Sequence, residues 1–350
     1  MPASELRRRN VRALGVLAVL LLTAGRAEPL VAQDVPPWAV PACRHRRLLT
    51  AGPAAAGTQW FWLEAGGRAR SDGADIALIS PSGRAVPLNV FCSTAEGRHL
   101  VIAREPKPEK GAYALYFGNP GAAAVAPAPI SSGLFLKTLP IPRNPDVDTW
   151  PAAERTLLRA AEPWGAAPWP QVFDAVNPFG PPADYISVYE GVIQCPKDGD
   201  YAFATLSDDA SFLLIDGSLV VEWGGRRHAI DSARRGEKSG TRTLKAGPHA
   251  FKYVSFAFDG VKRCAASWKP PDRPNWEIIP ASAFAPVAPM KAVAAEEQGQ
   301  PVAADFVAER VSYLEVEAPQ RGVVAMVAVQ FSALPGPRGE RPAQLKWEFG

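Results

Sequence analysis

The sequence GDYAFATLSDDASFLLIDG, residues 199–217, predicts a strand, an acidic turn and a second strand. Aromatic and aliphatic residues alternate with smaller ones on both sides of the turn, which is the two-residue period of a β-strand with one buried face. Asp216-Gly217 supplies the positive φ angles that a tight hairpin prefers, and residues 219–223 return as a third strand. The adjacent carboxylates of Asp208 and Asp209 are therefore expected at the tip of a β scaffold.

The composition favours several all-β domains. The chain has 350 residues, 47% of them hydrophobic, which suits two or three domains with their own cores. Its 36 prolines and 29 glycines separate short strand-like runs. We therefore predict tandem β-sandwich domains with Pro/Ala-rich linkers and one short helix. The helix is expected to begin at Trp150-Pro151 and to bury Leu157, Leu158 and Ala161.

The N-terminus has the pattern of a cleaved export signal. Four arginines precede an apolar run from residue 13 to residue 22, and small residues follow as far as Ala32. We predict a signal peptide over residues 1–32, cleaved after Ala27 or Ala32, with a retained anchor as the alternative. The mature protein is then secreted, periplasmic or displayed at the cell surface, with no transmembrane span.

The charge of the mature chain is balanced. Removing residues 1–32 takes away five arginines and two glutamates, so that 38 basic and 35 acidic residues become 33 of each. No net positive field remains to neutralise phosphates, which argues against nucleic acid as a partner.

The four cysteines are candidates for disulfides. An even count in an exported chain predicts pairing, and Cys43 to Cys92 with Cys195 to Cys264 is the simplest of three possible connectivities. Four buried free thiols are the alternative, because sequence alone does not fix connectivity.

Turn clusters and composition divide the rest of the chain. Residues 36–125 hold short apolar runs separated by turn residues and are predicted to form a small β-sandwich. Residues 286–310 are rich in alanine and proline, which predicts an exposed linker. Residues 311–350 begin a further β unit without finishing it, so we expect the chain to continue.

An ordered series of motifs spans residues 133–285. The motifs are Tyr189–Ile193, Asp198–Phe203, Ser207–Ser211, Ile215–Gly217, Leu244–His249 and Ser267–Lys269. This series closely resembles the PA-14 domain, a jelly-roll-type β-sandwich named after anthrax protective antigen. The resemblance implies an exported binding module of the kind found in adhesins, toxins, proteases and glycosidases, several of which bind carbohydrate.

Two further resemblances cover the flanking segments. Residues 36–125 resemble the DUF-2341 family, a β-rich extracellular module, through Arg46-Arg47, Gly73–Ile76, Gly83–Pro87 and Tyr113–Pro120. Residues 311–350, with Val329–Ala333 and Leu345–Gly350, resemble the opening of a polycystic-kidney-disease (PKD) repeat, an immunoglobulin-type β-sandwich. The chain ends inside that motif, so this resemblance covers half a domain.

The acidic turn is a candidate calcium site. Two adjacent carboxylates offer hard oxygen ligands, and backbone carbonyls could complete the six to eight oxygens that Ca²⁺ prefers. In sugar-binding PA-14 adhesins the matching Asp-Asp pair is joined by a cis peptide and holds a calcium that also contacts sugar hydroxyls. The resemblance implies Asp208 and Asp209 as ligands. Alternatively, both carboxylates simply close the turn by accepting backbone N–H groups.

Trp223 is a candidate for sugar binding. It lies where the third strand enters the loop that begins at Gly224, and an exposed indole at that place would stack on the apolar face of a sugar ring. Packing in the core is the alternative. The charged stretch from Arg226 to Arg242 is interpreted as a solvated loop.

The sequence contains none of the short motifs of hydrolases, zinc proteases or nucleotide-binding enzymes, and its four histidines lack zinc-ligand spacing. We therefore predict a secreted, non-catalytic module that binds extracellular polysaccharide or cell-surface glycan through its PA-14 loops. The alternatives are the accessory region of a longer extracellular enzyme or sensor, and a structural spacer at the cell surface.

Overall fold

The computed structural model describes residues 36–52, 57–226, 238–258, 263–299, 305–318 and 322–336, with the backbone alone for 309–318 and 322–330. The elements in these residues are strands apart from one α-helix, α1 (Trp150–Leu158), and a single 3-10 turn, which confirms the predicted all-β fold. The predicted signal peptide lies outside the described residues. No helix among the described residues is long and apolar enough to cross a membrane.

The strands of the described residues form two sandwiches and a separate hairpin. In chain order they are β1 (His45–Thr50), β2 (Thr58–Glu64), β3 (Ala77–Ile79), β4 (Ala85–Val86), β5 (Leu88–Ser93), β6 (Arg98–Arg104), β7 (Ala112–Phe117), β8 (Leu134–Pro140), β9 (Gly165–Pro168), β10 (Phe173–Asp174), β11 (Tyr185–Cys195), β12 (Gly199–Ser207), β13 (Ser211–Ile215), β14 (Ser218–Trp223), β15 (Ser239–Leu244), β16 (Gly247–Ala257), β17 (Cys264–Lys269), β18 (Glu277–Ile278), β19 (Ala288–Pro289), β20 (Lys291–Glu297), β21 (Phe306–Ala318) and β22 (Gly322–Ala333).

The first sandwich packs a five-stranded sheet, β20-β1-β7-β3-β4, against a four-stranded sheet, β19-β2-β6-β5. Alternate residues of the facing strands meet between the sheets, and Leu63, Val101 and Leu115 are fully buried there. The short apolar runs in the sequence of residues 36–125 are the strands that supply this core.

The predicted linker at residues 286–310 is wrong for residues 288–297, which complete the first sandwich. Strand β20 pairs antiparallel with β1, with Leu48 opposite Ala294, and β19 pairs in parallel with β2. Ala294 is 1% exposed, because its small side chain packs closely among its neighbours on the outer face of the five-stranded sheet. The ion pair between Arg46 and Glu296 joins the same two strands. The alanines therefore serve close packing, and the second sandwich is inserted into the first.

The second sandwich pairs a six-stranded sheet, β14-β13-β16-β11-β8-β9, with a sheet ordered β10-β17-β12-β15, to which β18 adds beside β17. Tyr189, Tyr201 and Phe203 fill the space between the sheets and are 0% exposed. Because side chains alternate along a strand, Phe212 and its neighbours face outward from the six-stranded sheet, where α1 covers them.

The helix α1 packs only in part through the predicted face: Leu157 is half-buried against the cluster that contains Phe212, whereas Leu158 and Ala161 are not buried. The rings of Trp150 and Phe212 lie 5.5 Å apart between centroids, and Ala153 is fully buried. Leu158 is 80% exposed, and Ala161, beyond the end of the helix, is exposed too. The large indole at the first helical position fixes the rotation of the helix, so that its alanine face turns inward.

The two sandwiches share a packed contact. The outer face of the β5–β6 sheet meets β8 and β9, with Phe91 and Phe135 5.8 Å apart between ring centroids. The Lys137 ammonium donates a hydrogen bond to the Phe91 carbonyl at 3.2 Å. The second sandwich is thus held by apolar burial as well as by the two chain connections of the insertion.

The predicted disulfides are wrong: the four cysteines are buried free thiols. Cys43 packs outside the five-stranded sheet of the first sandwich, whereas Cys92 lies in the contact between the two sandwiches. Burial raises the pKa of the Cys92 thiol to about 12, and burial together with Asp75 raises that of Cys43 to about 11.

The other two cysteines lie at opposite ends of the second sandwich. Cys195 closes β11 just before β12 begins at Gly199, whereas Cys264 pairs with Ser207 at the far end of β12. The eight steps between the nine residues from Gly199 to Ser207 extend about 26 Å at ~3.3 Å per step. A disulfide needs Cα atoms within about 7 Å, so this pair cannot be bridged.

Residues 304–334 belong to a separate compact unit. Its strands β21 and β22 pair antiparallel, with Phe306 opposite Ala333. The first five residues of β21 fall within the predicted linker, so the β unit begins earlier than expected. The PKD-like domain stays a prediction, and its residues 337–350 lie outside the described residues.

Candidate functional site

The acidic turn lies between β12, which ends at Ser207, and β13, which begins at Ser211. Asp208 and Asp209 are each 4% exposed, and a cis peptide bond joins them. The strand, turn, strand arrangement predicted from residues 199–217 is confirmed.

Backbone hydrogen bonds fasten the turn to both sheets. The Asp208 N–H donates to the carbonyl of Arg263, just before β17, at 3.0 Å. The Asp209 N–H donates to the carbonyl of Phe256 in β16 at 2.9 Å, and the Phe256 N–H returns a bond to Ala210 at 2.9 Å. The carboxylates therefore stand on a backbone that two different sheets hold in place.

A buried hydroxyl layer supports the turn from below. The Ser207 hydroxyl donates to the Asp209 carbonyl at 2.7 Å and lies 2.7 Å from the Ser211 hydroxyl oxygen. Across the six-stranded sheet, Ser211 pairs with Ser255, which pairs with Ser187. Below the turn, the core of the second sandwich therefore changes from aromatic to hydroxyl-bearing side chains.

The two carboxylates differ in their partners. Asp209 Oδ2 accepts a hydrogen bond from the Phe258 N–H at 3.0 Å, as expected for a carboxylate that closes a turn. None of the hydrogen bonds or ion pairs between described residues uses the Asp208 carboxylate, although Asp208 is buried. The guanidinium of Arg226 lies 3.9 Å from the centroid of the Phe258 ring, so positive charge also approaches this end of the sandwich.

The fit of a calcium ion depends on the oxygen atoms at the turn. Asp208 and Asp209 offer the hard ligands that Ca²⁺ prefers, but fewer than the six to eight oxygens it takes. In the described part of the chain, no group of three or more acidic, histidine or cysteine side chains is placed to hold a metal. Phe258 and Arg263, both bonded to the turn, flank residues 259–262, which lie outside the described residues. The two carboxylates therefore match calcium in donor type but not in the number of oxygens that the described residues supply.

Of the two interpretations of Trp223, the structure supports packing in the core and contradicts an exposed, sugar-stacking indole. Trp223 is the last residue of β14, opposite Ser211, and only 7% of it is exposed. The six-stranded sheet continues to β14, so the indole at its edge packs inward beside the hydroxyl layer. The core-packing alternative accounts for this residue.

Asp216 has the expected turn role, at the other end of β13. Asp216 and Gly217 have φ values of 50° and 72°, as a two-residue hairpin requires. The Asp216 carboxylate accepts hydrogen bonds from the Ala250 N–H at 2.9 Å and lies 2.7 Å from Nδ1 of His249. Both oxygens are thus engaged within the described residues.

Sequence reasoning missed an apolar surface beside the acidic turn. Phe173 is 58% exposed and Val176 is 49% exposed. The one sequence signal for this surface is the aromatic-rich run from Trp164 to Phe179. Strand β10 has only two residues, too few for an alternation that would show which side chains face outward.

Comparison with known proteins supports the resemblance in the second sandwich. The PA14 domain family model matches residues 171–281. A search among curated proteins finds no match. The DUF-2341-like and PKD-like segments stay predictions.

Several solved structures are similar to this chain. The PA14 domain of the MpAFP antifreeze protein is 12% identical, with 47% of this chain and 97% of that chain covered and a TM-score of 0.37. The PA14 sugar-binding domain from an RTX adhesin is 14% identical, with 44% and 98% covered and a TM-score of 0.35. The A domain of epithelial adhesin 6 from Candida glabrata, in complex with Galβ1-3GlcNAc, is 13% identical, with 45% and 88% covered and a TM-score of 0.33.

Proposed function

We propose that this chain is an exported, non-catalytic binding module that recognises carbohydrate through the acidic turn of its second sandwich. The PA14 domain match over residues 171–281 supports a binding role. The observation that carries the proposal is the placement of Asp208: the residue is only 4% exposed, it stands on a turn held by both sheets, and no hydrogen bond between described residues uses its carboxylate. The partner would be an extracellular polysaccharide or a cell-surface glycan.

The electrostatics of the turn favour a bound cation. Two adjacent carboxylates on a turn with little exposed surface repel each other. A calcium ion between Asp208 and Asp209 would offset this repulsion, and when bound it supplies open coordination positions for sugar hydroxyls. The Ser207 hydroxyl and the Phe258 N–H hold Asp209 in one orientation, so the chain keeps the ligand oxygens in place before an ion arrives.

The test combines a glycan array with calcium titration. Wild-type protein is applied to the array with calcium and with a chelator, and calcium affinity is measured by isothermal titration calorimetry. Asp208→Asn and Asp209→Asn keep the shape of the side chains and remove charge, so we expect at least tenfold weaker calcium binding. Glu154→Gln is the matched control, because Glu154 is exposed on α1 and loses the same charge.

Each outcome bears on the proposal. Glycan binding that the chelator and both aspartate variants abolish, with Glu154→Gln unchanged, supports it. Binding to no glycan in either condition, with calcium affinity and thermal stability unchanged by the aspartate variants, would show that the carboxylates only close the turn.

The proposed location is extracytoplasmic, through the predicted signal peptide over residues 1–32. N-terminal sequencing of the protein recovered from the medium or the cell envelope tests this directly. A mature chain that begins at residue 28 or 33 agrees with export, whereas an intact Met1 in the cytoplasm contradicts it.

A further inference from the structure

The exposed ring of Phe173 lies on the same sheet as the acidic turn. Strand β10 pairs with the start of β17, and β17 pairs with the end of β12. Phe173 is therefore opposite Ala265, which is opposite Leu206, in one row across three strands. With about 4.8 Å between neighbouring strands, the Cα atoms of Phe173 and Leu206 are roughly 10 Å apart.

The next row shows which way these side chains face. Asp174, Cys264 and Ser207 are opposite one another, and the last two are buried in the core. Because side chains alternate along each strand, the row that contains Phe173 faces outward. Ala265, between Phe173 and Leu206, is only 1% exposed, as expected for a small residue flanked by two large ones.

Val176, three residues after Phe173, is a second exposed apolar residue at this edge of the chain's second sandwich. The Val176 N–H donates to Oδ1 of Asp174 at 2.9 Å, which forms a tight turn directly after β10. Val176 is 49% exposed. We call the side chains of Phe173, Val176 and Leu206 the Phe173 patch. Leu206 is two residues before Asp208, so the patch borders the acidic turn.

The chemistry of the patch fits the carbon-rich face of a sugar ring. Among the exposed large hydrophobic residues of the described chain, Phe173 is the one aromatic, and a phenyl ring offers a flat surface without a hydrogen-bonding group. Exposed apolar side chains grouped beside a polar site are typical of ligand-binding surfaces. The patch has three side chains, whereas a specific protein interface buries about 800 Å² on each partner. Its size therefore favours one sugar ring over a protein.

We infer that the Phe173 patch is a stacking subsite for a second sugar ring of a glycan whose first ring is held at Asp208 and Asp209. The inference rests on the proposed function. It identifies the ligand class as an oligosaccharide. The phenyl ring of Phe173, and not the indole of Trp223, is then the group that selects for the length of the sugar chain.

The experiment compares an oligosaccharide with its terminal monosaccharide. The strongest binder from the glycan array and its terminal methyl glycoside are titrated against wild type, Phe173→Ala and Phe173→Trp. For Phe173→Ala we expect about tenfold weaker binding of the oligosaccharide, equivalent to ~1.4 kcal/mol, and unchanged binding of the methyl glycoside. Phe173→Trp keeps the stacking surface and should bind within about threefold of wild type. Leu158→Ala, which removes an exposed apolar side chain from α1, is the matched control.

The outcomes separate this inference from the proposed function. If Asp208→Asn abolishes glycan binding and Phe173→Ala changes nothing, the subsite is wrong and the proposed function stands. Equal losses for the oligosaccharide and the methyl glycoside, or a lowered thermal midpoint in Phe173→Ala, would show that Phe173 acts on the fold and not on a second ring. If wild type binds no glycan, the proposed function and the subsite both fail.

Discussion

His249 Nδ1 lies 2.7 Å from Oδ2 of Asp216, while its Nε2 lies 2.8 Å from the Lys245 carbonyl oxygen. Both ring nitrogens thus face acceptors, an arrangement that only the doubly protonated imidazolium satisfies fully. Burial by itself would lower the pKa of His249, but the bonds to Asp216 and Lys245, with the Asp216 charge, outweigh burial and the repulsion from Arg242 and raise that pKa. The protonated ring of His249 therefore links the turn at Asp216 to the turn that contains Lys245.

This pairing predicts pH-dependent stability. A raised pKa in the folded state stabilises the protein fully below the unfolded histidine pKa, about 6.5, and the gain is lost as the pH rises through the folded value. Because Asp216 is 41% exposed, the gain is at most about 1 kcal/mol, or ~2–4 °C. His249→Gln should lower the thermal midpoint more at pH 5.5 than at pH 8.5. Equal losses at both pH values would contradict the charged pair.

Asp216→Asn is the control for this measurement. Asparagine tolerates the positive φ of the turn and removes only the charge. The variant should weaken the pH dependence while the hairpin is retained, because only the Lys245 carbonyl then still favours the protonated ring.

Asp174, at the other end of the second sandwich, is expected to destabilise the folded state when its carboxyl group is charged. Burial raises the pKa of its carboxyl, in spite of the backbone N–H groups of Val176 and Ala175. A raised carboxyl pKa favours the folded state only at low pH, and the penalty for the charged form grows as the pH rises through the folded value. Asp174→Asn should therefore raise the thermal midpoint at pH 7 by ~2–4 °C and have little effect near pH 3. A lower midpoint at pH 7 would mean that the negative charge itself is needed.

Local sequence was sufficient for the hairpins but not for the long-range partners. The alternation through Tyr201 and Phe203 and the Asp216-Gly217 turn are local, and the structure has both as predicted. The pairing of Leu48 with Ala294 joins residues about 250 positions apart, and alanine-rich sequence carries no strand signal of its own. Local composition therefore predicted a linker where tertiary packing forms a strand.

The candidate site shows the same division. Two adjacent carboxylates between alternating strand residues are a local signal, so the sequence predicts Asp208 and Asp209 as site residues. The burial of Trp223 depends on the width of the sheet, and the exposure of Phe173 depends on a two-residue strand at its edge. Cysteine count favoured disulfides, but Cys195 and Cys264 lie at opposite ends of the strands, a distance that spacing along the chain does not show.

Gly224 is required by a close backbone approach. A Cβ atom at this position would lie 1.9 Å from the Asp148 carbonyl oxygen, and the neighbouring Gly225 N–H bonds to the Val147 carbonyl at 3.0 Å. Backbone on both sides leaves no side chain to move aside, so Gly224→Ala should destabilise the protein by about 2–4 kcal/mol in urea unfolding. Gly121→Ala is the control, because its Cβ would meet only ordinary contact at 3.6 Å. Similar midpoints for the two variants would show that the segment before α1 shifts freely.

The insertion of the second sandwich into the first predicts where the chain can be shortened. A chain of residues 36–285 contains every predicted PA-14 motif but lacks β19 and β20, so the edge of β1 and the face beneath Ala294 become exposed. A chain of residues 36–299 keeps both strands. We expect limited proteolysis to cleave the first sandwich rapidly in the shorter chain and slowly in the longer one, because an incomplete sheet lacks hydrogen bonds and apolar cover along a whole strand. The second sandwich should resist cleavage in both chains, since its own two sheets are complete within residues 134–278. Equal resistance of the first sandwich in both chains would mean that residues 288–297 contribute no more to its fold than a linker would.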